Sequence, residues 1–353
     1  MKQNETKNLL KKDEILPQGE TMVAVSPNLQ QVIAQFSLKL SPAISQAIKQ
    51  GKENDPIARQ FMPTESELSW EAGESDDPIG DATHSPVKGI VHRYPDRALL
   101  MLTNICAVHC RYCFRRAKIG RPGNELKLDE INNALKYINN HKEIWEVILS
   151  GGDPLILSDR KLNEVLTQLR MIKHVRVMRI HTRIPIALPE RLTPDLIEML
   201  RADRAEKPLY MMIHCNHARE LTQEVRKACG RLADAGIPLL SQSVLLRGVN
   251  NNIEDMRNLM RALVETRIKP HYLHHGDMAQ GTSHFRTTIA EGQNLMREMR
   301  GTISGLCQPT YILDIPGGYG KVPVGPAFIN KQQNGDHLVA DYRGNTHTYR
   351  EKS

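Results

Sequence analysis

ALLMLTNICAVHCRYCFRR, residues 98–116, joins an apolar run to three closely spaced cysteines. The run is short and almost unbroken, the pattern of a strand covered on both faces. Five more follow: WEVILS (145–150), VRVMRIHT (175–182), LYMMIH (209–214), LLSQSVLL (239–246) and PHYLHH (270–275). They alternate with amphipathic stretches near 128–141, 159–171, 193–203, 218–235, 252–267 and 287–300. Six βα units predict an α/β fold with a parallel sheet. The simplest closure is a partial (β/α)6, TIM-like barrel with function at the C-terminal strand ends. A doubly wound open sheet gives the same alternation, so periodicity alone does not separate the two.

Around this core, spanning 86–305, the chain divides into two flanking parts. Residues 1–85 read as an N-terminal extension. Its first 25 residues are polar, 26–63 are helical with breaks at Pro27 and Pro42, and 64–79 form an acidic surface loop. Residues 306–353 form a segment that closes the site and ends in a hairpin signalled by Asn334-Gly335.

Composition narrows the class. Of 353 residues, 40% are hydrophobic and 25% charged, a globular balance. Lys and Arg exceed Asp and Glu by 47 to 40, a net +7 too mild to argue for nucleic acid. No run of 18 apolar residues exists, and the N-terminal stretch lacks an apolar signal core. Membrane insertion is therefore not expected, and the cytoplasm is. The cysteines stand at 106, 110, 113, 215, 229 and 307; three within eight residues suit a metal site better than a disulfide framework.

Cys106, Cys110 and Cys113 have the spacing C-x3-C-x2-C. Three thiolates in one loop hold three irons of a [4Fe–4S] cluster and leave the fourth open to a ligand. A zinc site completed by His109 or a remote ligand is the alternative, but no second cysteine pair appears. VILSGGDPL then sets Ser150, Gly151, Gly152 and Asp153 at a strand end, where glycines let the backbone come close to a ligand.

The cysteine spacing, with Tyr112 before the last cysteine, resembles the radical S-adenosylmethionine superfamily of full or partial barrels. That resemblance implies S-adenosylmethionine on the open iron and the Ser150–Asp153 turn at its methionine amino group. From about residue 55 to 326 the chain resembles, more narrowly, the lysine 2,3-aminomutase family. The likeness is carried by HRYPDRALLMLTNICAVHCRYCFRR, SGGDPL, HTRIP, HCNHARE, QSVLLRGVN, GTSHFRT and SGLCQPTYILDIPGGYGK. It implies an isomerase that interconverts L-lysine and L-β-lysine by moving an amino group between the α and β carbons. The implied mechanism uses a 5′-deoxyadenosyl radical and pyridoxal phosphate.

The same resemblance assigns residues. Lys321, in PGGYGK, is the Schiff-base lysine, and Arg93, Tyr94 and Arg97 in HRYPDR contact pyridoxal phosphate. Arg115 grips the substrate carboxylate, while Asp277 and Asp314 hold the lysine ε-ammonium. His214 and Gln242 lie near S-adenosylmethionine. His181, His217, His274 and His275 receive no role. A flavodoxin- or ferredoxin-type donor or a reductase is expected to supply the electron, and a homo-oligomer is compatible with the resemblance.

Two departures stand out. Clostridial members carry a C-terminal cysteine cluster for zinc between subunits, whereas this chain has no cysteine after Cys307. They are also expected to carry Tyr where His274 stands. A short relative making β-lysine for elongation factor P modification has His there too, which gives an alternative biological role. An aminomutase for another amino acid is a further alternative. RNA modification is another, through a basic run of Arg111, Arg115, Arg116, Lys118 and Arg121, although no RNA-binding module is recognisable and aromatics are only 5%.

Overall fold

The computed structural model describes residues 26–49, 54–121, 126–201, 207–333 and 335–351. The polar first 25 residues, the end of the 193–203 stretch and Asn334 lie outside them.

Prolines near the N-terminus start helices rather than break them. α1 (Pro27–Gln35) is capped by the Ser26 hydroxyl on Leu29 N, and α2 (Pro42–Ala47) by Ser41 on Ile44 N. α3 (Pro56–Phe61) is capped by Asp55, which accepts from Ile57 N and Ala58 N. A proline in the first turn sacrifices only an N–H that has no intrahelical partner.

Nine strands form the main sheet: β1 (Ile90–Tyr94), β2 (Arg97–Thr103), β3 (Glu146–Gly151), β4 (Val177–Thr182), β5 (Leu209–His214), β6 (Leu239–Val244), β7 (Lys269–His274), β8 (Thr310–Ile315) and β9 (Gly320–Pro323). Neighbours follow chain order throughout, which is the winding of a barrel and not the reversing order of a doubly wound sheet. Strands β2 to β8 are parallel, one more than the sequence rhythm suggested; β1 and β9 flank them antiparallel. TYILDI (310–315), from the C-terminal segment, supplies the seventh parallel strand. The crossovers use α4 (Leu128–Asn140), α5 (Asp159–Met171), α6 (Ile184–Ala187), α7 (Pro194–Leu200), α8 (Gln223–Asp234), α9 (Ile253–Glu265) and α10 (Ile289–Met299). A separate antiparallel sheet holds β10 (Ile329–Lys331), β11 (His337–Ala340) and β12 (Thr346–Tyr349); β10 and β11 are the arms of the expected hairpin.

Side chains alternate across each strand, so the two faces can differ in chemistry. Val147 and Leu149 of β3, and Met178 and Ile180 of β4, are fully buried in the core. Their neighbours Glu146, Ile148, Ser150, Arg179 and His181 face the barrel interior. The strands therefore carry an apolar outer face and a polar inner one. Among the described residues no helix is long and apolar enough to cross a membrane.

The acidic stretch 64–79 runs over the surface as its composition suggested, with 65, 66, 69–73 and 76 exposed, but two of its acids turn inward. Glu67 has no exposed surface; it accepts from Arg111 Nη2 at 2.5 Å and also pairs with Arg116. Glu74 pairs with Arg286 at 2.6 Å. Two members of the basic run, Arg111 and Arg116, are interior counter-ions, while Lys118 and Arg121 remain exposed.

Candidate active site

A cavity of about 530 Å³ occupies the barrel interior, within the range of ligand pockets. Every site residue singled out above lines it, from the cysteine loop through Ser150–Asp153, His214 and Gln242 to Asp277, Asp314 and Lys321.

At one end, the cysteine loop follows β2 and abuts the turn after β3. Asp153 N donates to Ile105 O at 2.8 Å, and Gly152 N to Thr103 O at 2.5 Å. A side-chain carbon on Gly152 would lie 2.3 Å from Ile105 O, and one on Gly151 2.3 Å from Thr103 O. The glycines are thus required by the approach of one backbone to the other, in addition to any ligand. The Asp153 carboxylate is spent inside the protein: it accepts from Thr182 Oγ1 at 2.7 Å, Arg183 N at 2.6 Å and Ile184 N at 3.1 Å. It braces the turn against the end of β4. Tyr112 shares a 2.8 Å hydrogen bond with His214 Nε2.

The other end is built by the β8–β9 hairpin. Asp314 and Lys321 are direct cross-strand partners, which brings their side chains together. The Lys321 ammonium donates to Asp314 Oδ1. His274 Nδ1 lies 3.5 Å from Asp314 Oδ2, and Arg93 Nη1 4.0 Å from Oδ1. Burial works against ionisation of Asp314, but the His274 hydrogen bond and the Lys321 charge outweigh it and hold the carboxyl at about 2. Asp277 is the opposite case: desolvation, then the charge of Asp314, push it up to about 7. Tyr94 accepts from Lys321 N at 2.7 Å through its hydroxyl, while the Arg97 guanidinium stacks 3.8 Å from the centre of its ring.

Asp81 was missed in the sequence. Arg115 donates to its Oδ2 twice, at 3.0 and 2.8 Å, and Arg93 to Oδ1 at 3.2 Å. Burial would raise its pKa, yet the Arg115 charge and hydrogen bond, with Arg93, keep it below the usual carboxylate range. One carboxylate thus orients both the guanidinium assigned to the substrate and one assigned to pyridoxal phosphate. No motif marks Asp81. His181, by contrast, was legible as one of two polar residues, with Arg179, at period-two spacing on β4. Burial, then the Arg179 charge, hold its pKa well below the ordinary value, so it is neutral.

The residues fit the cofactors that this arrangement suggests. Burial raises Cys106 well above the usual thiol range, helped by Asp153 and the other cysteines; burial and Cys110 push Cys113 up to about 11. Directly bonded metal deprotonates such thiols outright. Three thiolates on one loop, all lining the cavity, suit a cluster with one thiolate per iron. Near Lys321, Arg93 Nε, Arg179 Nε and His181 Nε2 are buried without a protein partner among the described residues. They are spare hydrogen-bonding atoms for a polar ligand.

The barrel and its cysteine loop define a radical S-adenosylmethionine enzyme, and the sequence profile of that superfamily matches residues 100–261. A lysine-2,3-aminomutase profile matches residues 296–353. L-lysine 2,3-aminomutase of Clostridium subterminale is 40% identical over 321 residues, 91% of this chain and 76% of that one. The enzyme of the same name from Methanococcus maripaludis is 38% identical over 326 residues, 92% and 75% of the two chains. Glutamate 2,3-aminomutase of Clostridioides difficile is also 38% identical, over 301 residues, 85% and 70% of the two chains. The chain belongs to the lysine 2,3-aminomutase family. It is a radical S-adenosylmethionine aminomutase, an isomerase, and membership implies a [4Fe–4S] cluster, S-adenosylmethionine and pyridoxal phosphate.

Proposed function

We propose that the enzyme interconverts L-lysine and L-β-lysine. Identity does not choose the substrate, because lysine and glutamate enzymes lie at similar distances. The observation that carries the reading is the pair Asp277 and Asp314, which line one cavity, with the Asp314 charge raising Asp277. A cationic side chain satisfies two carboxylates in one cavity, whereas a glutamate side chain would be repelled.

Cys106, Cys110 and Cys113 would hold the cluster, Ser150, His214 and Gln242 would border S-adenosylmethionine, and Lys321, Arg93 and Arg97 would hold pyridoxal phosphate. When bound, these groups supply one-electron chemistry at the cluster and a carbonyl that takes up the migrating amino group. The chain supplies position and charge. Arg115, fixed by Asp81, presents its guanidinium to the substrate carboxylate. Asp277 and Asp314 take the ε-ammonium at the far end of the substrate. Lys321 Nζ covers Asp314 Oδ1 in the structure, so that oxygen is open to a substrate ammonium only when the Lys321 side chain swings away from it. His274 steadies the second oxygen of Asp314 at 3.5 Å. One electron per activation comes from a low-potential donor of flavodoxin or ferredoxin type.

The test is an anaerobic assay with dithionite, S-adenosylmethionine, pyridoxal phosphate and either L-lysine or L-glutamate. β-Lysine should form. Turnover of glutamate but not lysine would overturn the substrate assignment.

A further inference from the structure

Arg183, in the turn after β4, has no place in the reading above, yet it reaches the cluster loop. Its Nη1 lies 3.1 Å from Cys110 Sγ and also donates to the Tyr112 hydroxyl. Nη2 donates to Gln60 Oε1 at 3.0 Å and to Glu220. The guanidinium packs 4.6 Å from the centre of the Phe61 ring. Only 7% of Arg183 is exposed and 2% of Glu220.

Glu220 is itself immobilised. Its Oε1 accepts from Gln60 Nε2 at 3.1 Å, Asn216 N at 3.0 Å and His217 N at 2.9 Å. The backbone N of Arg183 is tied to Asp153 at 2.6 Å. The arginine is therefore held from several sides with one nitrogen aimed at a sulfur, and it cannot relax toward solvent. The Arg183–Glu220 pair is a fixed dipole with its positive end on Cys110.

We propose that Arg183 sets the reduction potential of the cluster by hydrogen bonding to the Cys110 thiolate. This rests on the cluster assignment. In the step concerned, the [4Fe–4S]2+ cluster takes one electron from a low-potential donor and becomes [4Fe–4S]1+. No bond forms or breaks and no proton moves. The site gains one negative charge, much of it borne by the sulfurs. A donor and a cation fixed on one sulfur stabilise the reduced form more than the oxidised one and raise the potential. Low local dielectric enlarges the effect, because no water reorganises to replace the lost charge.

The test uses the anaerobically reconstituted full chain. Its midpoint potential is titrated with dithionite, extended by europium(II) chelates, and read by visible absorption and electron paramagnetic resonance. Arg183→Gln should shift the midpoint to more negative values; each tenfold loss in the equilibrium constant for reduction reads as about 59 mV. Arg183→Lys keeps the charge but loses the fork and should fall between. Because Arg183→Gln strands a buried carboxylate, the double variant Arg183→Gln/Glu220→Gln removes both charges and keeps the shapes. It too should titrate below the parent, since Glu220 sits on the far side of the guanidinium from Cys110. A double variant with four irons and the parental potential overturns the proposal. So does failure of every Arg183 variant to hold four irons, which would make Arg183 a structural support of the loop. A parent chain with no [4Fe–4S] spectrum would instead sink the cluster assignment itself.

Discussion

Lysine should bind more tightly as pH rises through neutrality, because Asp277 must surrender a proton to receive the ε-ammonium. Its carboxyl is pushed up to about 7 in the free site, by desolvation first and Asp314 second. A bound ammonium favours the ionised form, so binding lowers that pKa and releases the proton. With a free-site value near 7, the ionised fraction is about one-tenth at pH 6 and about nine-tenths at pH 8. Affinity for lysine should therefore rise roughly tenfold over that interval and then level off, well below the titration of the ε-ammonium itself at about 10.4. The α-amino group also titrates, which would confuse a single profile. Norleucine removes the confusion: it shares the α-amino group, the carboxylate and the chain length but has no ε-amine. The assay is the dissociation constant of each amino acid on the pyridoxal-loaded enzyme, from the change in visible absorption, between pH 6 and 8. The ratio of lysine to norleucine affinity should climb about tenfold in the parent and stay flat in Asp277→Asn. That variant should also lose about 30-fold or more in kcat/KM for lysine, as expected for one desolvated charged contact worth about 2–5 kcal/mol. A flat ratio in the parent would refute the idea that Asp277 receives the ε-ammonium.

Three further outcomes are expected. Cys110→Ala should abolish turnover and leave fewer than four irons per chain by iron and sulfide analysis, since one thiolate ligand is gone. Lys321→Ala should retain normal iron but lose the pyridoxal absorption that borohydride fixes to the chain in the parent; a labelled peptide elsewhere would move the assignment. Glu67→Gln should cost roughly 3–5 kcal/mol in denaturant unfolding, because it leaves the buried Arg111 and Arg116 without their counter-charge; unfolding at the parental midpoint would contradict that accounting.

Most of the barrel was legible because each strand carries a short run rich in β-formers that a helix pattern follows. β8 was harder: TYILDI is such a run, but a glycine-rich loop follows it in place of a helix. β1 and β9 pair antiparallel at the margins and carry mixed chemistry, so periodicity did not isolate them. The cysteine loop, the β3 turn and Lys321 were legible as compact motifs. Asp81 and Glu67 were not, since their meaning lies in partners 34 and 44 residues away. A single acid in a polar stretch looks the same whether it faces water or a guanidinium. Spacing encodes local geometry; only the folded barrel brings these distant charges into register.

The hydrogen bond from Lys321 N to Tyr94 links the last strand of the sheet to the first, across 227 residues of chain. During synthesis β1 waits while seven parallel strands are laid down beside it. Until β9 arrives, β8 is a bare edge with unpaired backbone groups, the kind of surface that recruits wrong partners. Closing so long a loop gives no return until its final contact forms. The amine that would carry pyridoxal phosphate is therefore installed at the end of assembly, by the segment that seals the seam. A chain that stalls short of β9 would have no Lys321 in place, whatever the state of its cysteine loop.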